Sequence, residues 1–171
     1  AVEHTPYPAV FCRIDDMLGG VMGRCVGQDE ITLMHAGDIP VGCAVCYESV
    51  YGEYYTDYIR KGARAMTIIT NDAWWGDTPG YRQHLSYASL RAIETRRAIA
   101  RCANTGISAI ISPSGEIVSE TQWWTPAVLE GRIPLRDDMT FFVVHGDITG
   151  RVCTFLSILL LLALIVRFRS F

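Results

Sequence analysis

The stretch Ile39-Pro-Val-Gly-Cys-Ala-Val-Cys46, continued by Tyr47-Glu-Ser-Val-Tyr-Gly52, decides how this 171-residue chain is read. Its first part carries no charge and reads as a buried β-strand of the kind that parallel sheets use. Glu53 to Lys61 follows, with basic residues in its last turn and Gly62 just beyond, the composition of a helix closing on a left-handed cap. Met66 to Asn71 is a second strand, and Asp72 to Gly80 a loop carrying Trp74, Trp75, Gly76 and Pro79. Tyr81 to Arg101 places Leu85, Ala88, Ala92 and Ile99 on a rough 3.6 period and reads as a long helix. Ala103 to Ile111 is a strand, which Pro113-Ser114-Gly115 turns back into a further one at Glu116 to Ser119. Ahead of all this, Glu3 to Asp38 is rich in Pro and Gly, with room for a short helix at Ile14 to Leu18. Strand and helix in alternation, closed by a hairpin, is an α/β pattern.

Charge divides the chain in two. All 18 acidic residues and 12 of the 15 basic ones precede Gly150, so that body is at −6 and the last 21 residues are at +3. An acidic body argues against a nucleic-acid binder, which needs a basic face. The tail reads Arg151-VCTFLSILLLLALIV-Arg167, 15 uncharged residues that as a helix cover roughly 22 Å, short of the roughly 30 Å hydrocarbon core. Snorkelling by Arg151 and Arg167, with Phe168 and Phe171 at the interface, extends the reach. A buried core helix usually keeps a polar stripe, whereas Ile158 to Val166 is apolar on every side, so the tail reads as a membrane helix. The expected organisation is a body at residues 1–149 and a helix with a short basic tail at 150–171. The start, Ala1-Val2-Glu3-His4, shows no basic and apolar targeting segment.

The six cysteines differ in spacing and setting. Cys43 and Cys46 form a C-x-x-C, but on a strand residues three apart face opposite ways, and no second pair of ligands completes a zinc site. The four histidines are far apart in sequence, so no metal is expected. Cys12, Cys25, Cys102 and Cys153 read as small buried hydrophobes. Cys46 stands apart, because it closes a buried strand just before a turn into a helix, where α/β proteins place ligands. There a helix N-terminus favours the reactive thiolate, and backbone N–H groups can meet an oxyanion. A structural cysteine fits the same pattern, and Glu48 reads either as a base or as a helix-start carboxylate. There is no G-x-S-x-G, G-x-G-x-x-G or Walker motif.

Four blocks occur in order: Cys46-Tyr-Glu-Ser-Val-Tyr-Gly-Glu53, Thr70-Asn-Asp-Ala-Trp-Trp-Gly-Asp77, Gln83-His84 with Arg91-Ala-Ile-Glu-Thr-Arg96, and Ala103-Asn-Thr-Gly-Ile-Ser108. Together they resemble the carbon–nitrogen hydrolase (nitrilase) superfamily and, within it, the apolipoprotein N-acyltransferases. The resemblance implies part of an α-β-β-α sandwich on the periplasmic side of a bacterial inner membrane, followed by one transmembrane helix. It implies that Cys46 is the nucleophile, taking an acyl chain from a phospholipid as a thioester that the N-terminal amine of a diacylglyceryl-cysteine lipoprotein then attacks. By the same resemblance Glu48 and Glu3 are accessory glutamates, and Tyr47, Trp74 and Trp75 belong to the substrate site; for the tryptophan pair, ordinary core aromatics is the competing reading. No cofactor is implied, and a cytoplasmic C-terminus rests on the resemblance.

The departure from the family is large. Its triad is Glu–Lys–Cys, with the glutamate and the lysine both ahead of the cysteine. The single lysine here, Lys61, follows Cys46 and does not take that role. The expectation is therefore a C-terminal portion of a longer enzyme, inactive by itself. The alternatives are a membrane-anchored amidase acting on a small amide and a non-catalytic membrane-anchored remnant.

Overall fold

The computed structural model describes Met17, which is helical, and residues 30–169. Glu3, His4, Cys12, Cys25 and the rest of the expected helix at Ile14 to Leu18 lie outside the described residues. Among the described residues the body is built on a six-stranded sheet in chain order: β1 (Met34–Ala36), β2 (Ile39–Val45), β3 (Ala65–Asn71), β4 (Ile99–Asn104), β5 (Ala109–Ile111) and β6 (Ile117–Glu120). β2, β3 and β4 run parallel, while β1, β5 and β6 each join antiparallel. Parallel neighbours need crossovers, supplied by α1 (Gly52–Arg60) and α2 (Gly80–Thr95).

Both helices pack on one face of the sheet. Tyr55, Tyr58 and Ile59 of α1 and Leu85, Ala88 and Ala92 of α2 close over Ala44, Met66, Ile68 and Ile99. Gly42 permits the close approach, since a β-carbon there would lie 2.9 Å from Tyr58 Cβ. Gly62 takes the left-handed φ of +103° expected after α1. The opposite face carries two cross-strand rows, Cys43–Thr67–Ala100 and Val45–Ile69–Cys102. Val45, Ile69 and Cys102 are exposed there, so the uncharged run in β2 is covered on one side only among the described residues.

Three sequence expectations are corrected. The helix expected over Tyr81 to Arg101 stops at Thr95, where Arg96 turns left-handed (φ 52°), and Ile99–Asn104 pairs with β3 instead. Apolar Ala98-Ile99-Ala100 fits either geometry by pattern. The choice is made by Ile99 and Arg101 pointing into the core on strand alternation, and by buried Arg97, whose guanidinium donates to the carbonyls of Ala63 (2.8 Å) and Asp138 (2.8 Å). The strand expected over Ala103 to Ile111 is split by Thr105 (φ 62°) into the ends of β4 and β5. Cys102 and Cys153, expected to be buried, are exposed.

After β6 the chain runs without regular structure to the short helix α3 (Phe141–His145), then enters α4 (Ile148–Arg169). The Asp147 carboxylate accepts from the Gly150 N–H at 2.7 Å and starts α4 ahead of Arg151. The apolar span is therefore Ile148–Phe168, 21 residues, about 32 Å at 1.5 Å per residue. That matches a hydrocarbon core of about 30 Å, where the 15 uncharged residues fell short. None of its central window is buried, unlike a core helix. Glu53 of α1 ties this helix to the body, accepting from Asp147 N (2.9 Å) and from the Arg151 guanidinium (2.5 Å). The Asp147 N–H holds the Glu53 carboxyl below its usual range, with Arg151 adding to the effect.

Candidate active site

β2 delivers Cys46 to the carboxyl edge of the sheet, where the chain must turn sharply into α1. Cys46 makes that turn with φ of +50°, opening a 3₁₀ turn over Cys46–Val50. A non-glycine residue held there costs of order 1–3 kcal/mol and persists only when its surroundings over-determine it. Here they do so through the Cys46 carbonyl oxygen, which accepts from the Ser49 hydroxyl (2.8 Å) and lies 3.3 Å from His84 Nε2. Glu48 closes the turn: its carboxylate accepts from the Val45 N–H (2.8 Å) and from the Tyr54 hydroxyl (3.4 Å). The Cys46 thiol is half-buried, and the Thr70 hydroxyl stands 3.3 Å from its sulfur.

Behind the cysteine lies a buried charged group that the sequence blocks did not reveal, although two of its members, Asp72 and His84, stand in them. The side chains of Asp72 and Arg101 are fully inaccessible and that of His84 nearly so. Asp72 Oδ1 is 3.0 Å from His84 Nδ1, and Asp72 Oδ2 accepts from the Arg101 guanidinium at 2.7 Å. Arg101 also donates to the Ile107 carbonyl. Burial pushes the Asp72 carboxyl upward, but the hydrogen bond to His84 and the charge of Arg101 outweigh it and hold Asp72 below the ordinary aspartate range. Asp72, His84 and Arg101 come from the loop after β3, from α2 and from β4, three places that only the parallel sheet brings together.

Aromatic rings floor the other side. The Tyr47 ring lies 5.9 Å from that of His84, 6.3 Å from Trp75 and 6.3 Å from Tyr51, centroid to centroid. Trp74 points away and is 83% exposed. The structure therefore puts Cys46, Tyr47, Glu48 and Trp75 together and leaves Trp74 on the surface nearby in sequence. Lys61 is elsewhere, donating to the Ile31 carbonyl (2.7 Å) and to Glu30 (3.2 Å). Among the described residues no three His, Cys, Asp or Glu side chains are arranged to hold a metal.

The family model for carbon-nitrogen hydrolase covers residues 3–137. The chain belongs to the carbon-nitrogen hydrolase family. It is 37% identical to an apolipoprotein N-acyltransferase of Chlorobaculum tepidum over 98% of the chain and 33% of that protein. It is 32% identical to one of Geobacter metallireducens over 88% of the chain and 29% of that protein. The chain thus spans about a third of the length of these curated relatives. Among solved structures it superposes on a Nesterenkonia amidase of the nitrilase superfamily, with a TM-score of 0.51 at 18% identity, over 68% of the chain and 45% of that one. The α/β fold is accordingly a partial nitrilase-like one, carrying a long apolar helix at its C-terminal end.

Proposed function

We propose that this carbon-nitrogen hydrolase domain serves as the cysteine-bearing part of an apolipoprotein N-acyltransferase. The observation that carries the reading is the pairing of the Cys46 turn with a membrane-length helix tethered to the very next helix through Glu53 and Arg151. Such a tether suits a nucleophile that must meet an acyl chain at a bilayer surface, here that of a bacterial inner membrane with the body in the periplasm. The similarity to the two named acyltransferases supports it.

The chemistry is two-step covalent transfer. The Cys46 sulfur attacks the ester carbonyl of a phospholipid, the C–S bond forms, and the lysophospholipid oxygen leaves with a proton. The amine of a diacylglyceryl-cysteine lipoprotein then attacks the thioester, and the C–N bond forms as the sulfur departs. Glu48 keeps the turn in place through Val45 and Tyr54, and Glu3 is the second accessory carboxylate. Tyr47 and Trp75 line the approach to the sulfur, while exposed Trp74 meets lipid. The bare sheet face with Cys43, Val45, Ile69 and Cys102 is where the second sheet of the sandwich packs.

The family's glutamate and lysine stand ahead of the cysteine, and the one lysine in this sequence follows it. The 171-residue chain by itself is therefore expected to show no acyl transfer from phospholipid to a lipopeptide amine. A measurable turnover would overturn that. In the longer protein carrying this sequence, mass spectrometry after incubation with phospholipid is expected to find an acyl thioester on the Cys46 peptide. Cys46→Ser should remove the thioester and the activity. Full activity in the Cys46→Ser protein would refute the assignment.

A further inference from the structure

The hydroxyl of Thr70 sits between two acceptors, Cys46 Sγ at 3.3 Å and Asp72 Oδ1 at 3.1 Å, and has one hydrogen to give. Among the described residues Thr70 is the only hydrogen-bonding partner of that sulfur. Asp72 does not depend on it, since the same carboxylate is already engaged by His84 at 3.0 Å and by Arg101 at 2.7 Å. We propose that Thr70 is a catalytic residue: its hydroxyl donates to the Cys46 thiolate while the sulfur is charged and swings its hydrogen to Asp72 once the sulfur is acylated.

The physical basis is the order of acceptor strength. Both acceptors are ionised while the sulfur is a thiolate, but the Asp72 charge is already met by His84 and Arg101, so the hydrogen goes to the uncompensated sulfur. A thioester sulfur is a poor acceptor, and the carboxylate then takes the hydrogen instead. No proton leaves Thr70 in either state; only the orientation of the O–H changes. Position is secured from both ends, since Thr70 closes the inward alternation Met66–Ile68–Thr70 of β3 and is 9% exposed. Among the described residues, the titratable or charged groups on the elements packed about Cys46 include Tyr47 and Glu48 on its own turn, Tyr54 on α1, Asp72 after β3, His84 on α2 and Arg101 on β4. Glu48 and Tyr54 are occupied with each other and with Val45, and His84 with the Cys46 carbonyl. None of them contributes a hydrogen bond to sulfur.

This inference rests on Cys46 being the nucleophile, so its test reads the thiol directly rather than acyl transfer. The full chain in detergent is alkylated with iodoacetamide across a pH series, and each cysteine peptide is quantified by mass spectrometry. Thr70→Val keeps the shape and removes the donor, Thr70→Ala does so with a smaller side chain, and Thr70→Ser restores it. In Thr70→Val and Thr70→Ala the pH of half-maximal alkylation at Cys46 should rise by about one unit, the scale of a hydrogen bond to a charged group. The rate at neutral pH should then fall severalfold, the smaller thiolate fraction being partly offset by a more nucleophilic sulfur. Thr70→Ser should return both to the parent values, and Cys43, Cys102 and Cys153 should not move. An unchanged Cys46 midpoint in both donor-less variants overturns the proposal. So does a shift shared by Cys43, Cys102 and Cys153, which reports a loosened fold. A Cys46-specific shift here, together with no acyl thioester on Cys46 in the longer protein that carries this sequence, would instead sink the acyltransferase reading and leave the hydrogen bond standing.

Discussion

Replacing Arg101 by methionine will leave the Asp72 carboxylate buried beside His84 alone, and the protein is expected to lose about 3–5 kcal/mol of stability. The pair lies wholly out of solvent at 2.7 Å, so its loss is the breaking of a buried ion pair rather than of a surface one. Against a typical total of about 5–15 kcal/mol, that is a large fraction. A thermal melt in detergent should shift down by on the order of 10 °C. The contrast is Arg136→Met, which removes an equally short pair with Asp138 (2.7 Å) that is about half exposed on both sides. Solvent screens that pair and its loss should not register. If the two variants melt alike, the buried network is not what holds the site.

The pH dependence carries the same signature. Asp72 titrates below its ordinary value of 3.8 in the folded protein. Between those two values the unfolded chain therefore binds more protons than the folded one, and stability falls with acidification. The Asp72 contribution is fully present above the ordinary aspartate value and lost as pH drops through the folded one. Removing Arg101 takes away one of the influences opposing burial, so in Arg101→Met the Asp72 contribution should be smaller and its loss complete at a higher pH. Chemical denaturation at a series of pH values down to about pH 3 reads it directly.

The second large effect concerns α4. Ile158→Arg places a charge near the middle of the Ile148–Phe168 span, in a helix with no buried face. On insertion scales an arginine at the centre costs about 2.5–3.5 kcal/mol where isoleucine contributes a few tenths favourably. Two to three orders of magnitude in the insertion equilibrium follow. The parent chain, expressed in bacteria, is expected to resist alkaline carbonate extraction from membranes. The Ile158→Arg chain should be released in large part. Equal release of both would mean that this helix packs against protein and not lipid. The conversion of the Glu53–Arg151 tether into a functional link depends on this result, because only an inserted α4 can set the height of Cys46 over a bilayer.

Several features were open to reading because they are local. The uncharged run ending at Cys46, the capped helix before Gly62, the Pro113-Ser114-Gly115 hairpin and the leucine-rich tail each carry their signal within a few neighbouring residues. The ordered blocks around Cys46, Thr70, His84 and Ala103 pointed to the family, and the family model and the curated relatives agree. Boundaries were less legible. The apolar Ala98-Ile99-Ala100 suits a helix or a strand, and the start of α4 hinges on one carboxylate, Asp147, capping Gly150.

What the chain determined alone was which segments hide from water and which residue carries a thiol at a strand end. Periodicity and composition encode those one segment at a time. Tertiary structure alone decided what surrounds that thiol. Thr70, Asp72, His84 and Arg101 lie 24 to 55 positions beyond Cys46 and look, taken singly, like ordinary polar residues. They become one group because β2, β3 and β4 run parallel and in register, so that two crossovers return the chain to the same sheet edge. A buried charge is tolerable only when such a return delivers its partner.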